Sequence, residues 1–100
     1  RGQTPLHCAC AEGHIDGAEI LIKLGANLNS LDREGNSPLH VATRMRYTSI
    51  AGTLLKSNAD VEIGDEHGLT ALHVAASQGC NGILDLILQH KSSVINKQST

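Results

Sequence analysis

Histidines at a constant spacing are the residues of this chain best suited to chemistry. His7, His40 and His73 lie 33 residues apart, and imidazole nitrogens are common zinc ligands. A metal ion needs its ligands within a few ångströms of one point. If each histidine belongs to its own layer of packed helices, the layers are on the order of 10 Å apart, so the three cannot share one ion. We expect each to bond its own capping residue and the neighbouring backbone instead.

The cysteines predict neither a disulfide framework nor a metal site. Cys8 and Cys10 are too close together for an ordinary bridge, and on a helix they point to different sides. Cys80 stands alone, so the usual zinc-ligand spacings are absent. The odd cysteine count and the lack of an Asn-x-Ser/Thr sequon favour a reducing setting. We therefore expect an intracellular protein, cytoplasmic or nuclear.

The sequence contains no motif for catalysis or for phosphate binding. There is no Gly-x-Ser-x-Gly, phosphate loop or His-Glu-x-x-His, so we expect no enzyme activity, no cofactor and no small-molecule substrate. The formal charge of −2, the dispersed basic residues and a single aromatic residue, Tyr47, argue against nucleic acid and acidic membranes as partners. No apolar run approaches membrane-spanning length.

The histidines belong to a longer motif that recurs with the same spacing of 33 residues. Its copies are Gly2-Gln3-Thr4-Pro5-Leu6-His7, Gly35-Asn36-Ser37-Pro38-Leu39-His40 and Gly68-Leu69-Thr70-Ala71-Leu72-His73. The apolar pairs Leu21-Ile22, Leu54-Leu55 and Ile87-Leu88 keep the same step. A fixed period of this length is typical of stacked repeat units. Because one unit cannot bury its own apolar face, stability has to come from stacking.

Each unit is predicted to contain two short helices and a turn. Hydroxyl residues that can accept hydrogen bonds from first-turn amides precede each first helix: Thr4, Ser37 and Thr70. In the first unit we expect one helix from Pro5 to about Glu12, ended by Gly13, and a second from about Ile15 to Leu24. The polar stretch from Asn27 to Glu34 is predicted to protrude as a turn.

These motifs together resemble the ankyrin repeat: Gly-x-Thr-Pro-Leu-His-x-Ala, then Gly13-His14, Leu21-Ile22 and Gly25-Ala26-Asn27. The resemblance covers essentially the whole chain. It implies an all-α ankyrin-repeat solenoid of stacked helix-turn-helix units with projecting hairpin fingers. We divide the single domain, residues 1–100, into unit 1 (1–31, truncated at its N-terminus), unit 2 (32–64) and unit 3 (65–100, with an atypical end). A start at Arg1 and the lack of polar capping units predict a piece of a longer array.

Some positions depart from the family pattern. Arg46 and Tyr47 stand where the family has Gly-His, and because Arg in a left-handed conformation is strained, we expect a different turn there. Asn58 replaces the closing Gly but tolerates the same conformation. The segment from Gln89 to Asn96 is one residue longer than its counterpart, which predicts a shifted or bulged finger.

The resemblance implies a protein-protein interaction module of scaffold or adaptor type, which binds through its fingertips and the face of its first helices. One alternative is a regulatory segment of a larger enzyme or channel. Another is an inhibitor of NF-kappa-B-type transcription factors, which would hold a basic segment against an acidic finger. The supporting feature for that inhibitor is the acidic group Asp60, Glu62, Asp65 and Glu66.

Subtracting the residues with structural roles leaves a candidate partner-binding set: Arg33, Glu34, Asn36, Arg44, Met45, Tyr47, Glu66, His67, Leu69, Ser77 and Gln78. Within it, the stretch from Arg44 to Tyr47 combines two Arg, a Met and the only aromatic residue, types that are enriched in interfaces. The alternative for its arginines is a solvated helix end. Asn29 lies in a finger similar to those modified by an asparaginyl hydroxylase, and its alternative role is to bond the finger backbone.

Overall fold

A computed structural model describes the backbone of residues 3–98 and the side chains of residues 3–91. In that part of the chain there are six helices: α1 (Pro5–Glu12), α2 (Ile15–Lys23), α3 (Pro38–Arg44), α4 (Thr48–Lys56), α5 (Ala71–Gln78) and α6 (Asn81–Gln98). Gly2, which opens the repeated motif, lies outside the described residues, as do the end residues Arg1, Ser99 and Thr100 of the predicted units 1 and 3.

The helices form two layers. Within each unit the first helix packs on the second, while α1, α3 and α5 contact one another in sequence and α4 contacts both α2 and α6. The core between the layers is made of small and branched side chains, with Leu6, Leu39, Leu54, Ile83 and Ile87 at most 1 % exposed. This arrangement is the predicted all-α solenoid of stacked helix pairs.

Each first helix begins with a reciprocal cap. The Oγ1 of Thr4 accepts from the amide of His7, and the Nδ1 of His7 accepts from the amide of Thr4. Ser37 and Thr70 form the same pair of bonds with the histidine three residues further on. Together these bonds satisfy amides that the first helical turn leaves unpaired. The predicted caps are thus confirmed in all three units.

The buried histidines also join neighbouring units. The Nε2 of His7 lies 2.8 Å from the carbonyl oxygen of Asn36, and the Nε2 of His40 lies 2.7 Å from that of Leu69. Because Nδ1 accepts from an amide, the ring proton must be on Nε2, which therefore donates to the next unit. Burial lowers the pKa of His40, which favours this neutral form. The expected structural role of these two histidines is confirmed.

The turn between α3 and α4 corrects one sequence-based expectation. Arg46 adopts the left-handed conformation, with φ 64°, and the amide of Tyr47 donates to the carbonyl of Ala42 at 3.0 Å. The same bond joins His14 to Ala9 at 3.0 Å, so the turn does not differ. The helix-ending bond imposes the conformation, and the Nη2 of Arg46 donates to the carbonyl of Gln78 at 2.9 Å. Asn58 is left-handed, with φ 68°, as predicted.

The end of unit 3 corrects another expectation. Helix α6 continues to Gln98, whereas the equivalent helices end at Lys23 and Lys56, so no shifted finger forms between Gln89 and Asn96. The left-handed residue that closes the earlier units, Gly25 or Asn58, is replaced by Lys91 at the same spacing. Lysine favours continued helix, and its Nζ lies 3.1 Å from the Oε2 of Glu62.

The hydropathy of the helices bears on whether they could span a membrane. None of the helices in residues 3–98 combines the length and the apolar character needed to cross a membrane.

The histidine bonds between units lead to a stability prediction. His40→Ala should lower the free energy of unfolding by about 2–4 kcal/mol, because it removes buried cap bonds and the bond to unit 3. His73→Ala is the matched control: the His73 side chain is exposed, so the loss should be below about 1 kcal/mol. Urea denaturation of both variants measures the difference. Equal losses would contradict the inter-unit role of His40.

The strained turn generates a second prediction. Arg46→Gly should raise the free energy of unfolding by about 0.5–1 kcal/mol, since glycine adopts the left-handed conformation without steric strain, and the bond lost to the Gln78 carbonyl is exposed to solvent and contributes less. Gly13→Ala at the equivalent turn should lower it, because φ is +75° and the new Cβ would lie 3.0 Å from the Cζ of Tyr47. Thermal unfolding of both variants tests whether their stabilities change in opposite directions. A destabilised Arg46→Gly protein would refute the prediction.

Candidate protein-interaction surface

An aspartate that recurs at the 33-residue spacing shapes each finger. Finger 1 (27–36) joins α2 to α3, and finger 2 (60–69) joins α4 to α5. The Oδ1 of Asp32 accepts from the amides of Glu34 and Asn36, both at 2.9 Å. In the same way, the Oδ1 of Asp65 accepts from the amides two and four residues further on, at 2.8 and 3.0 Å. The recurrence of Asp32 and Asp65 is visible in the sequence and could have indicated this role, which was not among the predictions.

Arg44 joins the bases of the two fingers. Its Nη2 lies 2.6 Å from the Oδ2 of Asp65, and its Nη1 donates to the side-chain oxygen of Asn36. The side chain of Asp65 is only 2 % exposed, and that of Arg44 is 36 % exposed. A largely buried carboxylate of this kind requires a partner. The guanidinium of Arg44 therefore fixes the fingers relative to each other.

The same bonds hold the finger carboxylates in their ionised form. The amide of Leu69 contributes most, followed by the Arg44 guanidinium and the amide of His67, and together they lower the pKa of Asp65 to about 2 against the opposing effect of burial. For Asp32, partial burial raises the pKa, but the amides of Asn36 and Glu34 outweigh it and leave the value below the usual range. Both fingers thus depend on a charged aspartate.

Two further predicted partner-binding residues connect neighbouring units. The half-buried ring of Tyr47 packs against Gly13, where an added Cβ would meet the Cζ at 3.0 Å. The Nε2 of Gln78 donates to the carbonyl of Arg44 at 3.2 Å. Three side chains of the stretch from Arg44 to Tyr47 thus contact other units, and the role of this stretch in partner binding stays a prediction.

An open cleft lies between the fingers. It has a volume of about 260 Å³ and is lined by Glu34, Asn36, Arg44, Asp65, Glu66 and His67. Asn36 and Asp65 are at most 9 % exposed, whereas Glu34, Glu66 and His67 are exposed. The amide of Glu66 donates to the carbonyl of Glu34 at 3.0 Å, so the two fingers are also joined through their backbones. The cleft is polar and preformed.

Exposed apolar side chains occur on the same fingers and first helices. Met45 at the end of α3 is 47 % exposed, Leu69 at the base of finger 2 is 40 % exposed, and Leu31 in finger 1 is 49 % exposed. Of the other predicted partner-binding residues, Arg33 and Ser77 are also exposed. We call Arg33, Glu34, Met45, Glu66, His67, Leu69 and Ser77 the finger-side surface.

The acidic group of finger 2 is less available to a partner than the sequence suggests. Besides Asp65, which is paired with Arg44, Glu62 lies 3.1 Å from the Nζ of Lys91, and the Oδ1 of Asp60 accepts from the amide of Glu62 at 2.8 Å. Of this acidic group, Glu66 has only an exposed His67 beside it, 3.6 Å away. Asp65 thus serves to form the finger, whereas Asp60, Glu62 and Glu66 are exposed, and the inhibitor alternative stays a prediction.

Asn29 links fingers 1 and 2. Its side-chain oxygen accepts from the amide of Asp60 at 2.9 Å, and its own amide donates to the side chain of Asn27 at 2.9 Å. The alternative role, bonding of the finger backbone, is confirmed by these contacts. Asn29 is exposed, and its hydroxylation stays a prediction.

The cysteines and histidines gather at no common point. Across the described residues, no group of three or more His, Cys, Asp or Glu side chains could hold a metal ion. Cys8, Cys10 and Cys80 are all free thiols, and burial raises the pKa of Cys10 to about 12. A thiol with such a pKa is unreactive at neutral pH, so Cys10 serves as a small apolar core residue.

The ionised Asp65 makes stability dependent on pH. Its pKa is about 2 in the folded protein and about 3.9 in an unfolded chain. The carboxylate therefore stabilises the fold fully above about pH 4, and this contribution is lost as the pH falls through about 2. Asp65→Asn should lower the midpoint of urea denaturation at pH 7. The difference in midpoint between this variant and the wild type should decrease as the pH falls from about 4 to about 2.

A second variant separates the groups that act on Asp65. Arg44→Ala leaves the two backbone amides on the carboxylate but removes the guanidinium, so its pH dependence in the same range should be weaker than that of the wild type. Urea denaturation at several acidic pH values gives both curves. A constant difference between the wild type and Asp65→Asn across the range would contradict the assignment.

Comparisons with known proteins agree with the geometry of the helix pairs and fingers. A family model described as ankyrin repeats (3 copies) matches residues 1–65, and a second, for the single ankyrin repeat, matches residues 67–99. The ankyrin repeat and KH domain-containing protein mask-1 of Caenorhabditis elegans is 52 % identical over 33 residues, or 33 % of this chain. The chain spans about 1 % of the length of that relative. This chain belongs to the ankyrin-repeat family.

Proposed function

We propose that the chain is a protein-recognition module of scaffold or adaptor type that binds its partner with the finger-side surface. Ankyrin repeats generally mediate protein-protein binding and are typically non-catalytic. The observation that carries the proposal is the exposure of Met45 and Leu69, at 47 % and 40 %, beside the polar cleft. Exposed apolar side chains surrounded by polar ones are typical of protein-binding surfaces.

The rigidity of this surface supports the proposal. The bonds that Arg44 makes to Asn36 and Asp65, together with the backbone bond between Glu66 and Glu34, hold the cleft in shape without a partner. A partner segment would therefore bind without ordering the fingers, which reduces the entropic cost of association. Met45 and Leu69 would supply apolar contact area, while Glu34, Glu66 and Arg33 would select for charge.

An intracellular location and a parent protein with further domains are parts of the same proposal. The free thiols of Cys8, Cys10 and Cys80 support a reducing compartment. A regulatory role within a larger enzyme or channel is compatible with the same surface, because it would again consist of binding another protein domain.

Replacement of both exposed apolar side chains tests the proposed surface. Met45→Gln with Leu69→Gln should weaken partner binding at least about tenfold, because the loss of desolvated apolar contact amounts to roughly 1.4 kcal/mol or more. Partners retained from a cell lysate by the wild type are identified first, and their affinities for each variant are then measured by titration calorimetry.

The matched control removes apolar surface of the same kind elsewhere. Ile20→Gln with Leu24→Gln changes two exposed side chains of α2, 57 % and 78 % exposed, that lie outside the finger-side surface. This variant should bind partners like the wild type. Partners that bind all three proteins with equal affinity would sink the proposal, and far-UV circular dichroism checks that each variant is folded.

A further inference from the structure

A second cleft lies beside finger 1. This cleft 1 has a volume of about 290 Å³ and is lined by Gln3, Asp32, Arg33 and Glu34. We call the cleft of about 260 Å³ between the two fingers cleft 2. Each residue that lines cleft 1 has a counterpart 33 positions further along the chain that lines cleft 2, namely Asn36, Asp65, Glu66 and His67. The two clefts are therefore equivalent sites of the repeat and can be compared directly.

In cleft 2 a guanidinium group of the same chain binds the aspartate. The Oδ1 of Asp65 accepts from two finger amides, and its Oδ2 lies 2.6 Å from the Nη2 of Arg44. The Nη1 of Arg44 donates to the side-chain oxygen of Asn36. The carboxylate and the side-chain amide thus form a pair of acceptors that the planar guanidinium binds with two nitrogens. With this cation in place, the side chain of Asp65 is only 2 % exposed.

In cleft 1 the first helix supplies no such cation. The counterpart of Arg44 is Ala11 on α1, whose methyl group has no hydrogen-bond donor. The Oδ1 of Asp32 accepts from finger amides as that of Asp65 does, but its Oδ2 meets a single donor within residues 3–91, the Nδ2 of Asn36 at a long 3.5 Å. Asp32 is half-buried, whereas Asp65 is buried. Because Ala11 and Asp32 both lie inside the described chain, this difference is a property of their side chains.

The other charges around cleft 1 favour a cationic ligand. Two carboxylates line the cleft, those of Asp32 and Glu34, and its one basic lining residue is Arg33. Arg33 is exposed at the position that Glu66 has in cleft 2, and the ion pairs among the described residues do not include it. Gln3, the counterpart of Asn36, adds a neutral side-chain oxygen. The lining is therefore net negative and has the same two kinds of acceptor as cleft 2.

We propose that cleft 1 binds an arginine side chain of the partner protein, which contacts Asp32 as Arg44 contacts Asp65. One guanidinium nitrogen donates to the Oδ2 of Asp32 and another to the side-chain oxygen of Gln3. Arginine fits better than lysine, because its planar fork matches two acceptors, whereas an ammonium group is a compact and more strongly hydrated charge. This inference rests on the proposed function, since it names one side chain of the partner that the finger side recognises.

A substitution on α1 tests the geometry without any ligand. Ala11→Arg places a guanidinium at the position equivalent to Arg44, so it should pair with Asp32 and raise the midpoint of urea denaturation. In an Asp32→Asn background the same substitution should give no such increase, because the carboxylate is absent. Ala11→Gln is the matched control of similar size, and its effect should be the same in both backgrounds. An equal effect of Ala11→Arg with and without the Asp32 carboxylate would show that the guanidinium does not bind there.

A short arginine peptide measures binding directly. In amide NMR spectra of the isotope-labelled chain, acetyl-Gly-Arg-Gly-amide should shift the resonances of Glu34 and Asn36, whose amides bond to Asp32. The same peptide with citrulline, which is neutral and nearly isosteric, should leave these resonances unchanged, and the lysine peptide should bind more weakly than the arginine peptide. Affinity for the arginine peptide should fall as the salt concentration rises.

Two variants show whether the peptide binds in cleft 1. Ala11→Arg should weaken binding of the arginine peptide at least about tenfold, because its own guanidinium occupies the acceptors while the finger keeps Asp32. Arg33→Ala should strengthen binding, because it removes a like charge from the lining. Far-UV circular dichroism checks that both variants are folded.

The outcomes separate this site from the proposed function as a whole. Met45→Gln with Leu69→Gln leaves the lining of cleft 1 unchanged, so this variant should bind the arginine peptide like the wild type even where it loses a partner. Shifts that require arginine and are lost in Ala11→Arg support the site. The proposal is overturned if the arginine and citrulline peptides act alike, if Ala11→Arg binds like the wild type, or if the arginine peptide causes no shift at Glu34 and Asn36.

Discussion

The hydrogen bond from a neutral imidazole to the carbonyl of the next unit is the interaction on which the rest of the stack depends. Because the Nδ1 of His40 accepts from the amide of Ser37, the ring proton is on Nε2. This Nε2–H group therefore donates a hydrogen bond to a carbonyl of the next unit. That carbonyl belongs to Leu69, at the base of a finger. One side chain thus starts a helix, satisfies a buried polar group and sets the distance between adjacent units.

Local chemistry explains why so much of the helical framework was predictable. Caps, helix starts and the left-handed residues at Gly13, Gly25 and Asn58 depend on residues within a few positions of one another, and all could be identified in one repeat. The finger aspartates carried a visible signal too, the recurrence of Asp32 and Asp65, which was overlooked because acidic loop residues are usually solvated.

The candidate site was less predictable because its side chains are engaged by distant parts of the chain. Arg44 is an ordinary helix-end residue until Asp65, 21 positions away, is known to face it. The ring of Tyr47 packs against Gly13, and the Nε2 of Gln78 donates to the carbonyl of Arg44. No local sequence pattern indicates either contact. The extension of α6 was partly predictable. Lys91 stands in the sequence where the earlier units have a left-handed residue, but the family pattern favoured a finger at this position.

The exposed residues of the finger side have a different role from the buried residues that join the units. On the finger side, Arg44 and Asp65 hold the cleft in shape, so the recognition that we propose would depend on Met45, Leu69 and a few solvated charges that stacking does not require. A change of the Met45 or Leu69 side chain therefore leaves the bonds that build the cleft intact. The proposed partner binding can accordingly be separated from folding by substitutions on one rigid scaffold, since the buried histidines that set the spacing lie outside the exposed surface.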